Sequence, residues 1–346
     1  MIKKSILLAS ILSFLLLGTA FKASTPGQDW KFYFGKNYLT VAVVLNNGVA
    51  FVGGEEGVLY ALDSKRGTAN WQFKAEGAIA QPPLFDNDLL YFCTKSGNVY
   101  CLNALNGKLI WVININSKLV CTPILAGDML CIYSRNEVIG LDKANGLDMW
   151  KTQLKVSDNP QMATDDHNIY FADDMKAYSL NSLDGKINWD YDLNTYGVSD
   201  VLLAKNKLIF INAGKVFALD KETAKKKWIF ELDTKSKVRF QNKPNFLNDL
   251  VYVSYANELI ALSIDDGEKQ WVFKTKLEEE LYAPIVRDNS IWLSSRGKTI
   301  FNISADKGRK LENYTIDIIQ ESPVRYENKS IFFTSEDGHA IAYRLI

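Results

Sequence analysis

Apolar and polar residues alternate at a period of two along most of this chain, in short runs separated by Asp, Asn, Gly and Ser. That alternation is the signature of half-buried β-strands, and no sustained helical period appears beyond residue 20. The stretch from Gly97 to Trp111 shows the unit most clearly: Tyr100 and Leu102 alternate with smaller residues, Asn103 to Gly107 makes a polar turn, and Leu109-Ile110-Trp111 opens the next strand. An Asn or Asp side chain can accept from the backbone two residues on, and Gly takes positive φ without a Cβ clash, so the turn has a mechanism.

The unit recurs at fixed offsets. Tyr60, Leu62, Asp63, Gly67 and Trp71 form one copy; Leu141, Asp142, Gly146 and Trp150 another; Tyr178, Leu180, Asn181, Gly185 and Trp189 a third. Phe217, Leu219, Asp220 and Trp228 follow with Ala224 in the Gly place, then Ile260, Leu262, Gly267 and Trp271. Phe301, Ile303 and Gly308 continue the series with Glu312 where Trp is expected, and Tyr343 to Ile346 ends the chain inside an eighth copy. Tryptophans at 71, 111, 150, 189, 228 and 271 recur every 40 residues or so, a period that belongs to propellers and other repeat arrays.

Each internal repeat reads as four strands, for example 81–85, 89–94, 99–102 and 109–113, with 123–125, 201–203, 284–286 and 323–325 as further inner strands. Trp30 to Phe34 looks like the last strand of a repeat whose first part is missing, and the C-terminal repeat lacks that strand. Joining the two predicts an all-β, eight-bladed β-propeller of four-stranded blades. The N-terminal strand would close it against the C-terminal blade, which removes open sheet edges. Trp30, Trp71, Trp111, Trp150, Trp189, Trp228 and Trp271 are then packing residues between blades. The segments 151–160, 191–200, 233–244 and 275–281 join an outermost strand to the next inner one and gather on one rim, where binding residues tend to lie.

Composition narrows the function. Lys plus Arg equals Asp plus Glu at 40 each, which offers no basic stripe for nucleic acid. Lys3 and Lys4, the apolar run from Ile6 to Leu17 and Gly18-Thr19-Ala20 read as a cleaved secretory signal over residues 1–20, leaving a propeller over 21–346. Cys93 and Cys101 flank one predicted hairpin, Cys121 and Cys131 another; bridges and buried thiols both fit, and Cys101 holds a position occupied elsewhere by Ala61, Gly140 and Ser179.

Candidate chemistry is thin. The Asp/Asn-x-x-x-Gly turns supply one side chain each, whereas calcium needs several converging oxygens. Gly297-Lys298-Thr299 lacks the earlier Gly of a phosphate loop, since Trp292 stands there, and it falls in a hairpin. His167 and His339 lie in different repeats with no ligand pattern around them. Asp165, Asp166, Asp173 and Asp174, and likewise Glu278 to Glu280, read as solvated turns. No catalytic, cofactor-binding or metal-binding residue is assigned.

The unit from Gly97 to Leu102, with Gly107 and Trp111, resembles the PQQ-type propeller repeat. The chain is similar in particular to the BamB family, on Ala261 to Gly267 with Trp271, the Trp-less Asn302 to Arg309, and Gln320 to Val324 leading to Asp337-Gly338. The resemblance implies a periplasmic, non-catalytic scaffold, monomeric within a complex, that docks onto the POTRA domains of a BamA-like subunit and aids insertion of outer-membrane proteins. By position it implies docking through Leu154, Lys155, Ser199, Asp200 and Val201. Family members are commonly lipoproteins anchored through a Cys after the signal. No Cys precedes Cys93, so this chain is expected to be soluble in the periplasm or held at the membrane by its partner. Quinoprotein dehydrogenases share the repeat but are much longer and carry a vicinal Cys-Cys pair and calcium ligands that are missing here. A propeller that binds a peptide or glycan at its central opening is a third expectation.

Overall fold

The computed structural model of the chain describes residues 27–345 except 36–41, 80, 118–121, 135, 155–160, 173–174, 194–197, 213, 232–242, 277–279 and 296, with backbone alone at 198–200 and 212. The expected signal segment, 1–20, lies outside the described residues.

Eight four-stranded antiparallel sheets follow one another along the chain. Seven are simple meanders: blade one spans 44–74, two 84–114, three 124–153, four 162–192, five 198–231, six 245–274 and seven 285–315. Blade eight combines three C-terminal strands, 325–344, with the N-terminal strand Gly27–Tyr33 as its outermost member. Trp30 faces Ala342 and Tyr33 faces His339 in that pairing. The inner strand of blade eight contacts that of blade one, so the ring closes as the repeat register requires.

Most inner strands start one to three residues later than the sequence pattern places them. Leu84–Asp86, Ile124–Ala126, Ile285–Arg287 and Arg325–Glu327 each begin one or two residues after Pro83, Pro123, Pro284 and Pro323. Proline has no N–H to give to a ladder, so pairing starts after it. Of the two blades without a preceding proline, blade five has the longer inner strand, Val198–Ala204, and blade one the three-residue Val44–Asn46.

The tryptophans join blades as the repeat pattern demands. Each sits opposite a small residue of its own sheet, as Trp71 does with Ala61, Trp111 with Cys101 and Trp150 with Gly140. Six of the seven then lay the ring on the turn glycine of the next blade, while blade five has Ala224 at that turn position. A Cβ at Gly67, Gly107, Gly146, Gly185, Gly267 or Gly308 would lie only 2.3–2.8 Å from the ring of Trp30, Trp71, Trp111, Trp150, Trp228 or Trp271. These glycines are also at positive φ, so both the turn and the approaching ring select against a side chain. The indole N–H finishes the joint: Trp30, Trp71, Trp150, Trp189 and Trp228 donate to Ser64, Ala104, Ser182, Lys221 and Ile264 carbonyls of the following blade at 2.9–3.0 Å, and Trp111 to Lys143 at 3.2 Å. The turns are built as Asx turns; Asp63 Oδ1 accepts from the Lys65 and Arg66 amides at 3.0 and 2.8 Å, and Asp142 and Asn181 do the same for Ala144 and Leu183.

Blade seven solves the same joint differently. Glu312 takes the Trp position and is exposed, and the small residue opposite it becomes Asn302. Across this joint Trp292 stacks on Tyr326 of blade eight with centroids 4.4 Å apart and planes at 13°, and on Tyr314 at 6.1 Å, as Phe51 meets Phe85 across the first joint. Trp292, Tyr314 and Tyr343 form one buried cluster across the two blades.

Candidate docking rim

Strand direction alternates within each blade, so the connections leaving the outermost strands share one face with the turns between each second and third strand. This face is the rim on which the sequence places its docking loops. Leu154 lies there at the root of its loop, but it is 8% exposed, packs in the core of blade three beside Val138, and donates its N–H to Asn136 O at 2.6 Å. Val201 is 1% exposed, pairs with Phe210 and packs among Tyr170, Ala177 and Phe217. Both hold the loop ends to the ring from beneath. Ser199 and Asp200 lie on the strand Val198–Ala204 with only their backbone described, and Lys155 lies outside the described residues.

Blades seven and eight form a notch on the same face. A cavity of about 460 Å³ is lined by Lys298, Asp317, Ile318, Ile319, Ser335, Glu336 and Asp337. Asp317 accepts from Tyr343 Oη. Asp337 gathers three groups: Ser335 Oγ donates to it, Lys31 Nζ lies 3.0 Å away and His339 Nδ1 3.0 Å away. Burial opposes its ionisation, yet these donors hold its carboxyl well below the usual carboxylate range. Since Lys31 belongs to the N-terminal strand, this cluster latches the ring. Arg344 and Asp29, 3.3 Å apart, make a second latch. Glu336 and Lys298 make no ion pair among the described residues.

Sequence reasoning treats His339 as a lone histidine and Asp337-Gly338 only as part of the family resemblance. Their joint role emerges only when the two chain ends meet, a contact with no local signal. The thiols resolve as buried groups: Cys101 and Cys131 are free, and burial pushes them up to about 11 and about 12. Cys121 lies outside the described residues. Among the described residues no group of three or more His, Cys, Asp or Glu is placed to hold a metal ion.

The model of the family described as outer membrane protein assembly factor BamB matches this chain over residues 19–111, 55–201 and 134–346. The chain belongs to the BamB family. A BamB protein of Moranella endobia is 23% identical over 301 residues, covering 82% of this chain and 68% of the relative. The crystal structure of BamB from Moraxella catarrhalis superposes with a TM-score of 0.75 at 16% identity, over 93% of this chain and 100% of that one. The tetrathionate hydrolase of Acidithiobacillus ferrooxidans is 24% identical over 341 residues, covering 82% of this chain and 67% of the relative. The repeat is therefore shared between BamB proteins and an enzyme, and BamB membership rests on the family model.

Proposed function

We propose that this protein is a non-catalytic scaffold of outer-membrane protein assembly, exported to the periplasm and held at the outer membrane through a partner. In this reading it grips the POTRA region of a BamA-like subunit with the rim loops of blades three to five, and so aids insertion of outer-membrane proteins. The observation that carries the reading is the BamB family match running over nearly the whole chain. A ring of eight rigid blades supports it physically, because loop ends anchored by buried residues such as Leu154 and Val201 lose little entropy on docking.

The test is calorimetric titration of the protein with purified POTRA domains of the same organism's BamA-like subunit. Saturable binding is expected, with Lys155→Glu and Asp200→Lys each weakening it at least tenfold and leaving Tm unchanged. Absence of binding overturns the reading; binding untouched by either variant moves the interface off these loops. The tetrathionate hydrolase relative favours one rival, an enzyme working at the central opening. Turnover of tetrathionate, or a saturable absorbance change on adding pyrroloquinoline quinone with calcium, would decide for that rival.

A further inference from the structure

We infer that the outer edge of blades two to four docks onto an anionic lipid surface, with leucines of the Asx turns entering the interface. The turns between third and outermost strands open on the face opposite the rim loops, so this contact and the proposed protein contact fit on one ring.

The first support is a run of apolar side chains at positions that face water. Leu105 and Leu109 stand two residues either side of Gly107, and Leu183 and Ile187 two residues either side of Gly185; Leu147 and Met149 lie in blade three between them. All six are 45–71% exposed. The places two residues either side of the turn glycine, or of Ala224, hold Glu222 and Lys226 in blade five, Asp265 and Lys269 in blade six, and Asp306 and Lys310 in blade seven. The run is continuous, because the Trp111 ring reaches Gly146, next to Leu147, and the Trp150 ring, next to Met149, reaches Gly185. Contiguous exposed apolar surface marks an interaction site.

The second is charge. At the outer turns of blades one to five every carboxylate is taken: Asp63 and Asp142 by turn amides, Asp148 by Lys151, Asp184 by Lys186, Asp220 by Lys227 and Glu222 by Lys221. Lys65, Arg66, Lys108, Lys225 and Lys226 are exposed at the same turns and make no ion pair among the described residues. Free cations at both ends and within an apolar run suit lipid phosphates, since their stems lie along the acyl boundary while the charges stay among the headgroups. A protein partner fits less well, because lysine is depleted from protein interfaces. Nearer the ring axis Asp88 and Asp166 stand on this face without ion pairs, so an anionic surface meets the outer edge of a tilted ring and not its middle.

The third is shape. Equivalent positions in a ring of like blades lie at one height along its axis, so the turns of blades two, three and four form a shallow arc. A bilayer interface is flat and yielding, and it meets three neighbouring turns at once. The turns are also firm: Asn103 Oδ1 accepts from the Leu105 amide at 3.1 Å and Asn181 Oδ1 from the Leu183 amide at 2.8 Å. Inserting either leucine therefore orders little new backbone.

The experiment is flotation of the exported chain, residues 21–346, which contains every described residue. It is mixed with vesicles of phosphatidylethanolamine and phosphatidylglycerol, and separately with vesicles of phosphatidylcholine alone. The anionic vesicles are expected to carry the protein, and the neutral ones at least fivefold less of it. Leu105→Ser combined with Leu183→Ser is expected to lower the partition at least tenfold, and Lys225→Gln combined with Lys226→Gln at least threefold. Tm is expected to stay level in both, because all four side chains are exposed. No flotation, or a leucine variant that floats like the parent, overturns the inference. So does equal flotation with the two vesicle types, which would leave the cations without a role. A dimer in sedimentation equilibrium that the leucine variant dissolves would assign the arc to a second copy and overturn the lipid. No POTRA domain is present in this assay, so its failure and the failure of the docking loops of blades three to five are read separately.

Discussion

Trp228→Phe and Trp271→Phe remove the same atoms from equivalent joints and should differ in cost by about 2 kcal/mol or more. Both lose the same ring volume, so that term nearly cancels. Trp228 Nε1 donates to Ile264 O at 2.9 Å in buried surroundings, and losing it leaves that carbonyl unpaired, at about 1–3 kcal/mol. Trp271 Nε1 is buried with no acceptor among the described residues. The carbonyl in the equivalent place, Ala305, takes Tyr252 Oη at 3.0 Å. Deleting the Trp271 donor therefore removes an unpaired group and recovers part of what its burial costs. In thermal unfolding followed by near-ultraviolet circular dichroism, Trp228→Phe should melt lower than Trp271→Phe by roughly 4 °C. Matched urea midpoints on the two variants check the order. Equal melting, or a lower Tm for Trp271→Phe, would refute the idea that the indole N–H, beyond ring burial, sets the strength of a joint.

Ala224 holds φ +57° where other blades place glycine, so Ala224→Gly should raise stability by about 0.5–1 kcal/mol in chemical unfolding. Gly146→Ala, where a Cβ would meet Trp111 at 2.8 Å, should cost about 2–4 kcal/mol in the same assay. Asp337 and Asp220 both have lowered folded-state pKa values, Asp220 near 2 because Lys227 donates to it. A lowered carboxylate pKa gives stability that is present above the unfolded value of about 3.9 and is lost as pH falls through the folded one. Tm should therefore drop between pH 4 and 2 by less in Asp337→Asn than in the parent, and a parallel loss would remove the latch from the account. Burial of Cys101 and Cys131 predicts that a Cys93→Ser, Cys121→Ser variant stays unreactive to a thiol reagent at pH 8 until denatured; rapid labelling of the folded protein would contradict it.

Read alone, the chain was explicit about everything that repeats. Strand alternation, Asx turns and a tryptophan at a steady phase gave the blade count, and the orphan strand around Trp30 gave the closure, because these are local patterns that packing copies from blade to blade. Where the pattern breaks, the chain was silent on the remedy. Glu312 announces a missing ring, yet nothing local says that Trp292, on another strand, stacks on Tyr326 across that joint. The same limit governs the residues expected to dock: Leu154 falls in a rim segment by sequence and Val201 just after one, and only the packed ring turns them inward. Lys31, Asp337 and His339 meet from opposite ends of the chain. Periodicity encodes what every blade shares, since each copy feels the same neighbours. The exceptions depend on which particular residues the ring brings face to face, and those contacts exist only in three dimensions.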